Sequence, residues 1–407
     1  MTTPTFVIVG AGLAGARAAE ALRKEGFDGR VVLFGEEADP PYDRPPLTKD
    51  FLRGKSDRAH LAVQPDAFWA EQSIELRTGA RIATIDVAGR TVGVADGSRT
   101  PFDRLLLATG SRPRRLKVPG ADLPGVHVIR RVGDADALRP SLGEGRRLVV
   151  VGGGWIGTEV AASARQLGSE VTLLMTADLP LLRPLGPMAA TMYRDLHVEH
   201  GVVLETIPGV ASIEGADRAE AVVTTDGRRF EGDAVVVAIG AVARAELAAD
   251  AGILVDGGVI ADDLLETSAS GVFAAGDVVA AWHPLLQTRV RLEHWAAAKF
   301  QGPAAARSML GRGVPYDRLP YFYSDQYDVS MEYRGHAPAW DRVVVRGDMA
   351  ARTFLMFWIL DGRVVAAMNV NTPGVAKPVD ALIRAGTVVD DRRLADPEVP
   401  LDQVAAG

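Results

Sequence analysis

A chain of 407 residues is too long for one hydrophobic core and points to two or three domains. Its 47% hydrophobic and 24% charged residues suit a globular protein, and its net charge of −7 argues against a nucleic-acid binder. The chain has no cysteine, which excludes disulfides, thiolate metal sites and any thiol redox centre of its own. Its seven histidines show no H-x-x-x-H or other metal-ligand spacing, so no metal is expected. No apolar run approaches the roughly 18 residues of a membrane span, and no secretory leader opens the sequence, so a cytoplasmic location off the membrane is expected.

In chain order, an apolar strand, Phe6-Val7-Ile8-Val9, runs into Gly10-x-Gly12-x-x-Gly15 and an Ala-rich helical stretch, then a second strand, Arg30 to Phe34. A polar, proline-rich loop follows from Asp39 to Pro46. Short strands come next, with hairpin turns at Val87–Arg90 and Val94–Gly97. Leu105-Leu106-Leu107-Ala108 reads as a strand ending in Thr109-Gly110. The same design then repeats. Leu148-Val149-Val150-Val151 leads into Gly152-x-Gly154-x-x-Gly157, a helix and the strand Glu170 to Met175. A loop punctuated by Pro180, Pro184 and Pro187 precedes a helix expected over 189–200, then hairpin strands, then Ala234 to Gly240, the counterpart of 105–110. Gly271-Val272-Phe273-Ala274-Ala275-Gly276-Asp277 is a strand ending in an acid, with a helix from about His294. The last part alternates like an antiparallel sheet (Val343–Val345, Thr353–Ile359, Val364–Met368) and carries a short helix near Val379–Arg384.

Each glycine run sits in a strand–turn–helix–strand context, which makes it a dinucleotide fingerprint. The first Gly makes the tight turn, the second admits the pyrophosphate, and the third lets helix and strand pack, with the helix N-terminus facing the phosphates. Two such sites on one chain imply electron transfer between two bound cofactors. Glu36, or its neighbour Glu37, stands where an acid would accept hydrogen bonds from a ribose. The second unit departs from the rule. Its second strand ends in Met175 rather than an acid, with Asp178 and Arg183 further along, which removes both a hydrogen bond to NAD and a repulsion against the 2′-phosphate of NADP.

Four further runs carry a resemblance: Pro41-Tyr42-Asp43-Arg44-Pro45-Pro46-Leu47-Thr48-Lys49, Gly152-Gly153-Gly154-Trp155-Ile156-Gly157-Thr158-Glu159, Ala275-Gly276-Asp277-Val278 and Tyr321-Phe322-Tyr323-Ser324-Asp325-Gln326-Tyr327. In this order the chain resembles, over essentially its whole length, the FAD-dependent ferredoxin reductases of bacterial cytochrome P450 and ring-hydroxylating dioxygenase systems. The resemblance implies an α/β glutathione-reductase-type fold: two Rossmann-like dinucleotide-binding domains plus a small α+β C-terminal domain. It divides the chain into a discontinuous FAD domain (1–109 and 240–315), an NAD(P) domain (110–239) and a C-terminal domain (316–407).

The resemblance also assigns residues. FAD contacts fall on Gly10, Gly12, Ala14, Gly15, Glu36, Arg44, Lys49, Ile82, Ala108, Thr109, Gly110, Arg130 and Asp277. For Ile82 and Arg130 a core or surface role is an equal alternative. Trp295 falls beside the flavin ring, or is a packing residue. Coenzyme contacts fall on Gly152, Gly154, Trp155, Ile156, Gly157, Glu159, Met175, Ile239 and Gly240. Lys49 and Glu159 would meet near flavin N5, a cation favouring the reduced ring and an acid holding that cation. Hydride transfer then needs stacking and orientation more than side-chain chemistry.

The activity implied is NAD(P)H:ferredoxin oxidoreduction, with single electrons leaving for a [2Fe–2S] ferredoxin that supplies a cytochrome P450 or dioxygenase. Alternatives are an NAD(P)H quinone reductase or oxidase on the same fold, and a redox-responsive flavoprotein like the apoptosis-inducing factors. Arg289, Arg291, Arg307 and Arg312 are expected to form a basic rim for an acidic ferredoxin.

Overall fold

The computed structural model describes residues 3–406. Five short runs rich in Val, Leu and Phe form its first layer: β1 (Thr5–Val9), β2 (Arg30–Phe34), β3 (Ile74–Arg77), β4 (Arg104–Leu107) and, much later, a strand at Val272–Ala274. All pair in parallel, in the order 272–274, β4, β1, β2, β3. Unbroken apolar runs suit strands covered on both faces, and Val7, Ile8, Val31, Val32, Leu105 and Leu106 are fully buried. The helix α1 (Leu13–Lys24) covers one face through Ala14, Ala16, Ala18, Ala19 and Leu22.

The second layer repeats the first. β5 (Val126–His127), β6 (Arg147–Val151), β7 (Glu170–Met175), β8 (Val202–Thr206) and β9 (Ala234–Val237) form a parallel sheet in the order β8-β7-β6-β9-β5. The helix α2 (Trp155–Gln166) takes the place of α1. Each unit carries an antiparallel three-stranded flap, over 82–101 and 210–231. The two chain crossings between the units lie side by side as an antiparallel pair, Ser111–Pro113 against Ala241–Ala243.

The helix after β7 differs from its sequence expectation. It starts at Leu182 rather than Ala189, and Pro184 and Pro187 lie inside α3 (Leu182–Glu199). Pro184 sits in the first turn, where the missing N–H costs nothing. Gly186, at φ 77°, breaks the helix so that Pro187 opens a second segment. Trp340 crowds Gly186 there, 2.8 Å from where a Cβ would stand.

Val272–Ala274 is β10, and α4 (Trp295–Met309) follows it. α4 crosses α1 closely: a Cβ at Gly302 would stand 2.3 Å from the Ala14 carbonyl oxygen. The last region is an antiparallel sheet of β11 (Tyr321–Gln326), β12 (Val329–Gly335), β13 (Arg342–Asp348), β14 (Thr353–Leu360) and β15 (Arg363–Val370), in the order β11-β12-β15-β14-β13. Alternation on β14 sends Phe354, Met356 and Trp358 against Leu185, Met192 and Leu196 of α3. Leu355, Phe357 and Ile359 pack on Val379, Leu382 and Ile383 of α5 (Ala376–Ala385). The sheet is thus clamped between its own helix and the second unit.

Candidate functional site

The glycine turns show what each glycine is for. Gly10 has φ +116°, and a Cβ there would lie 2.1 Å from the Ala108 carbonyl oxygen; at Gly15 it would lie 2.0 Å from the Gly10 carbonyl oxygen. Both are packed against backbone. Gly12, the N-cap of α1, has ordinary extended geometry and nothing within 4 Å of its Cβ position. The second turn matches: Gly152 has φ +115° with the Ala238 oxygen at 2.3 Å, Gly157 meets the Gly152 oxygen at 1.9 Å, and Gly154 faces open space. Each unit therefore presents a helix N-terminus under a bare cradle that a Cβ would fill. That is the fit a dinucleotide pyrophosphate requires.

Ala14, just inside the first cradle, is buried against Gly276 and Gly302. The strand ends correspond too. Ala108 N–H donates to Val9 as Ala238 N–H does to Val151, which makes Thr109 equivalent to Ile239 and Gly110 to Gly240. Both glycines are left-handed, at φ 70° and 98°. The Thr109 hydroxyl donates to the Arg244 carbonyl at 2.7 Å.

The acids of the first unit are well paired. Asp277, 8% exposed on a 3₁₀ turn after β10, accepts from the Ser111 hydroxyl at 2.7 Å and from Arg130 at 2.9 Å. Glu36 takes Arg244 at 2.7 Å and Arg131 at 3.1 Å, and the Arg244 hydrogen bond chiefly holds its carboxyl below the usual range. Glu37 is more buried. Burial opposes its charge, but Arg44 and the Tyr42 hydroxyl outweigh that and keep its pKa low. Arg44 itself is turned to Glu37 (2.7 Å), the Tyr42 hydroxyl and the Arg130 carbonyl. Glu37 thus anchors the proline loop. Ile82 points its side chain into the first core.

The loop ends at the central charge pair. Pro45 and Pro46 start a 3₁₀ turn over Pro45–Thr48, and Lys49 closes it. Lys49 Nζ lies 2.8 Å from Glu159 Oε1, with side-chain exposures of 13% and 6%. Glu159 sits in the second turn of α2. Its carboxylate also accepts from the Thr48 hydroxyl (2.5 Å) and from the Ser324 hydroxyl of β11 (2.7 Å). One turn further along the same helix face, the Ser163 hydroxyl donates to the Thr48 carbonyl at 2.6 Å. Lys49 and Glu159 therefore meet, and a third element completes their shell.

Aromatic rings surround this point. Trp155 packs edge-on to Phe322 (4.9 Å) and Tyr193 (6.0 Å), while Ile156 beside it is 42% exposed. The Trp295 indole donates to Asp43 at 2.7 Å, lies 6.0 Å from Tyr323 and carries Lys299 over its face at 4.2 Å. His294, the N-cap of α4, stacks on Phe322 at 4.5 Å, and burial pushes its pKa down to about 4.

The second strand end differs from the first. Met175 is 4% exposed, with its sulfur 2.5 Å from where a Gly153 Cβ would be. Gly10 N–H donates to Phe34 as Gly152 N–H does to Leu174, so Met175 is equivalent to Gly35 and the exposed Thr176 to Glu36. Sequence reasoning missed Thr176, which the register of the internal repeat would have found. It also assigned no role to Ser324 and Gln326, two polar residues two apart and so on one face of β11, both buried.

The expected basic rim does not form as one surface. Arg307 pairs with Glu25 at 2.7 Å and Arg312 donates to the Glu25 carbonyl, at the far end of α1. Arg307 stands twelve residues from Trp295 along α4, about 18 Å. Arg291 is neutralised by Glu293, and the exposed Arg289 donates to the Ala261 carbonyl at 2.7 Å. Among the described residues, no cluster of His, Asp or Glu could hold a metal, and no helix is long and apolar enough to cross a membrane.

Two equivalent nucleotide cradles joined by a buried ion pair define a two-dinucleotide oxidoreductase. Residues 4–302 match the pyridine nucleotide-disulphide oxidoreductase family model and residues 321–405 the reductase C-terminal model. The chain belongs to this pyridine nucleotide-disulphide oxidoreductase family, whose enzymes work with FAD and NAD(H). It is 41% identical over 402 residues to the anthranilate 1,2-dioxygenase system ferredoxin–NAD(+) reductase component of Burkholderia cepacia, covering 98% of this chain and 99% of the relative. It is 37% identical over 409 residues to putidaredoxin reductase of Pseudomonas putida, covering 98% and 96%. The fold is similar to the reductase in a covalent putidaredoxin reductase–putidaredoxin complex, with TM-score 0.95, 35% identity and coverage of 99% and 98%.

Proposed function

We propose that this chain passes electrons from NADH, through FAD, singly to a small [2Fe–2S] ferredoxin that supplies an oxygenase of the P450 or ring-hydroxylating dioxygenase kind. The observation that carries the reading is the buried Lys49–Glu159 pair, built where the two nucleotide units meet, in a chain with no thiol to relay electrons. The names of the relatives support the acceptor. We assign FAD to 1–109 with 240–315, the coenzyme to 110–239, and the closing face to 316–407. The cytoplasm, where NAD(P)H is drawn, is the place we assign to it.

FAD, when bound, accepts a hydride and gives up electrons one at a time. Gly10, Gly12 and Gly15 would cradle its pyrophosphate, and Asp277 and Glu36 would accept from its hydroxyls. Gly152, Gly154 and Gly157 would cradle the coenzyme's. Glu159 fixes the Lys49 ammonium in a half-dry pocket, where a cation acts more strongly than in water. Trp155, Phe322 and Trp295 restrict water there. Lys299, over Trp295, and Arg318, over the neighbouring Phe300, are cations that an acidic ferredoxin would meet.

The test is anaerobic stopped-flow on FAD-loaded protein. NADH should bleach the flavin, and a purified [2Fe–2S] ferredoxin should then be reduced, with a rate that falls as salt rises past about 0.1 M. Reduction of quinone or oxygen with no reduction of any ferredoxin would move the reading to a quinone reductase or oxidase.

A further inference from the structure

The C-terminal sheet reaches the charge pair through a buried polar chain whose direction the geometry sets. Glu159, ionised against Lys49, can only accept, so the Ser324 hydroxyl must donate to it (2.7 Å). Ser324 is then free to accept, and Gln326 Nε2 stands 3.1 Å from its oxygen and 3.0 Å from the Thr158 hydroxyl. Thr158 donates back to the α2 carbonyls of Gly154 and Trp155. The Gln326 amide therefore faces its nitrogen toward both hydroxyls and its oxygen toward His197, whose Nε2 is 2.9 Å away. His197 must carry its proton on Nε2, which leaves Nδ1 to accept from the Tyr327 hydroxyl at 3.4 Å. Tyr327 holds a left-handed backbone, φ 57°, rare for a bulky residue, and stacks on His200 at 3.6 Å.

Ser324, Gln326 and His197 are each under 7% exposed. Burial also pushes the His197 pKa down to about 4, so its single-proton form persists at neutral pH. A buried polar chain is stabilising only when every member is satisfied; here the donors run from Tyr327 through His197, Gln326 and Ser324 to Glu159, and Thr158 is a side branch that donates to its own helix. Hydrophobic packing of α3 on β14 would have joined the two parts without it.

We propose that Ser324, Gln326 and His197 are positioning residues: they orient the Glu159 carboxylate, and through it the Lys49 ammonium, so that the C-terminal domain sets the charge placed at the site of hydride transfer. This rests on the role given above to Lys49 and Glu159.

The experiment uses FAD-loaded protein throughout. Ser324→Ala should slow the limiting rate of flavin reduction by NADH about tenfold, the loss of one hydrogen bond to a charged group. It should leave the NADH dissociation constant unchanged and shift the midpoint potential of the bound FAD. Ser324→Thr, which keeps the hydroxyl, should restore both. In a Glu159→Ala background, Ser324→Ala should add nothing further. Gln326→Met gives the same reading if Ser324→Ala fails to fold. A normal rate and potential in Ser324→Ala and Gln326→Met, with Lys49→Met and Glu159→Ala slow, overturns this inference alone. Full additivity with Glu159→Ala overturns it as well, because the effect would not pass through that carboxylate. Normal rates in Lys49→Met and Glu159→Ala overturn the underlying reading and this one with it.

Discussion

The glycine turns make opposite demands at neighbouring positions, and that contrast can be measured. Gly12 is needed for what binds, whereas Gly15 is needed for the fold. A Cβ at 12 meets no atom within 4 Å, and a β-branched residue adopts the φ −78°, ψ −173° of Gly12 without strain. Its cost to the apoprotein is a poorer helix cap, about 1 kcal/mol or less. An alanine at 15 puts its Cβ 2.0 Å from the Gly10 carbonyl oxygen, which must shift α1 off the sheet. Overpacking of this kind costs typically 1–3 kcal/mol. FAD reverses the order. At a free concentration a thousandfold above its Kd, it stabilises the wild type by about 4 kcal/mol, and Gly12→Val should lose all of that increment. Urea unfolding with and without FAD, beside flavin absorbance of the purified proteins, reads both effects. Gly12→Val should be colourless and unfold like wild-type apoprotein; Gly15→Ala should unfold earlier with or without FAD. Full flavin content in Gly12→Val would refute the assignment of that cradle, and apoprotein instability equal to that of Gly15→Ala would refute the reading of the open space.

The second cradle gives a parallel expectation: Gly154→Val keeps FAD but is not reduced by NADH, while dithionite still bleaches it. Lys49→Met should slow flavin reduction by more than it weakens coenzyme binding, by on the order of the 2.7–4 kcal/mol that a lost oxyanion donor costs; stopped-flow traces at several NADH concentrations separate the two. Thr176→Glu should raise the NADH-to-NADPH ratio of kcat/KM by placing a carboxylate where Glu36 stands in the first unit, whereas Met175→Asp should chiefly lower stability by burying a charge. His197 is held neutral in the fold at a pKa of about 4 but takes a proton near 6.5 when unfolded. The unfolded state then binds more protons between those values. The His197 contribution to stability should be flat above about pH 6.5 and fall by ~1.4 kcal/mol per unit as pH drops toward 4; His294, held down the same way, adds a like slope, so denaturant melts of His197→Asn should show the total slope reduced, not abolished.

The two nucleotide units could be read in the sequence because their signals are local. Strand, glycine turn, helix and strand lie within some thirty residues, and Arg30–Phe34 and Glu170–Met175 end in the structure where the apolar runs end. The start of α3 was hidden because Pro184 and Pro187 read as breaks, and only the clamp against Met356 and Trp358 shows why a helix forms through them. The partners of Glu159 were hidden for another reason. Thr48 and Ser324 lie 111 and 165 positions from it, and no spacing rule links residues so far apart. The arginine rim failed on the same ground: neighbours in sequence at 307 and 312 sit a helix length from Trp295.

The repeat also explains why the ion pair falls where it does. Each unit has the same sheet order, but β10 completes the first sheet only after the whole second unit has been traversed, whereas β5 joins the second sheet from before β6. The chain must therefore cross between the units twice, and the two crossings pair along Ser111–Pro113 and Ala241–Ala243. That strap links the crossings beside Gly110 and Gly240, the glycines that end equivalent strands. The proline loop after β2 then reaches across to the second unit's α2 rather than back onto its own, and Lys49 meets Glu159 instead of an acid of its own half. A charge pair made this way exists only when both units are folded and docked. Losing one partner leaves the other as a buried charge, which costs about 3–5 kcal/mol. The pair is thus a condition on assembly as well as a device of the site, and the hydroxyl that β11 adds extends the same condition to the third domain.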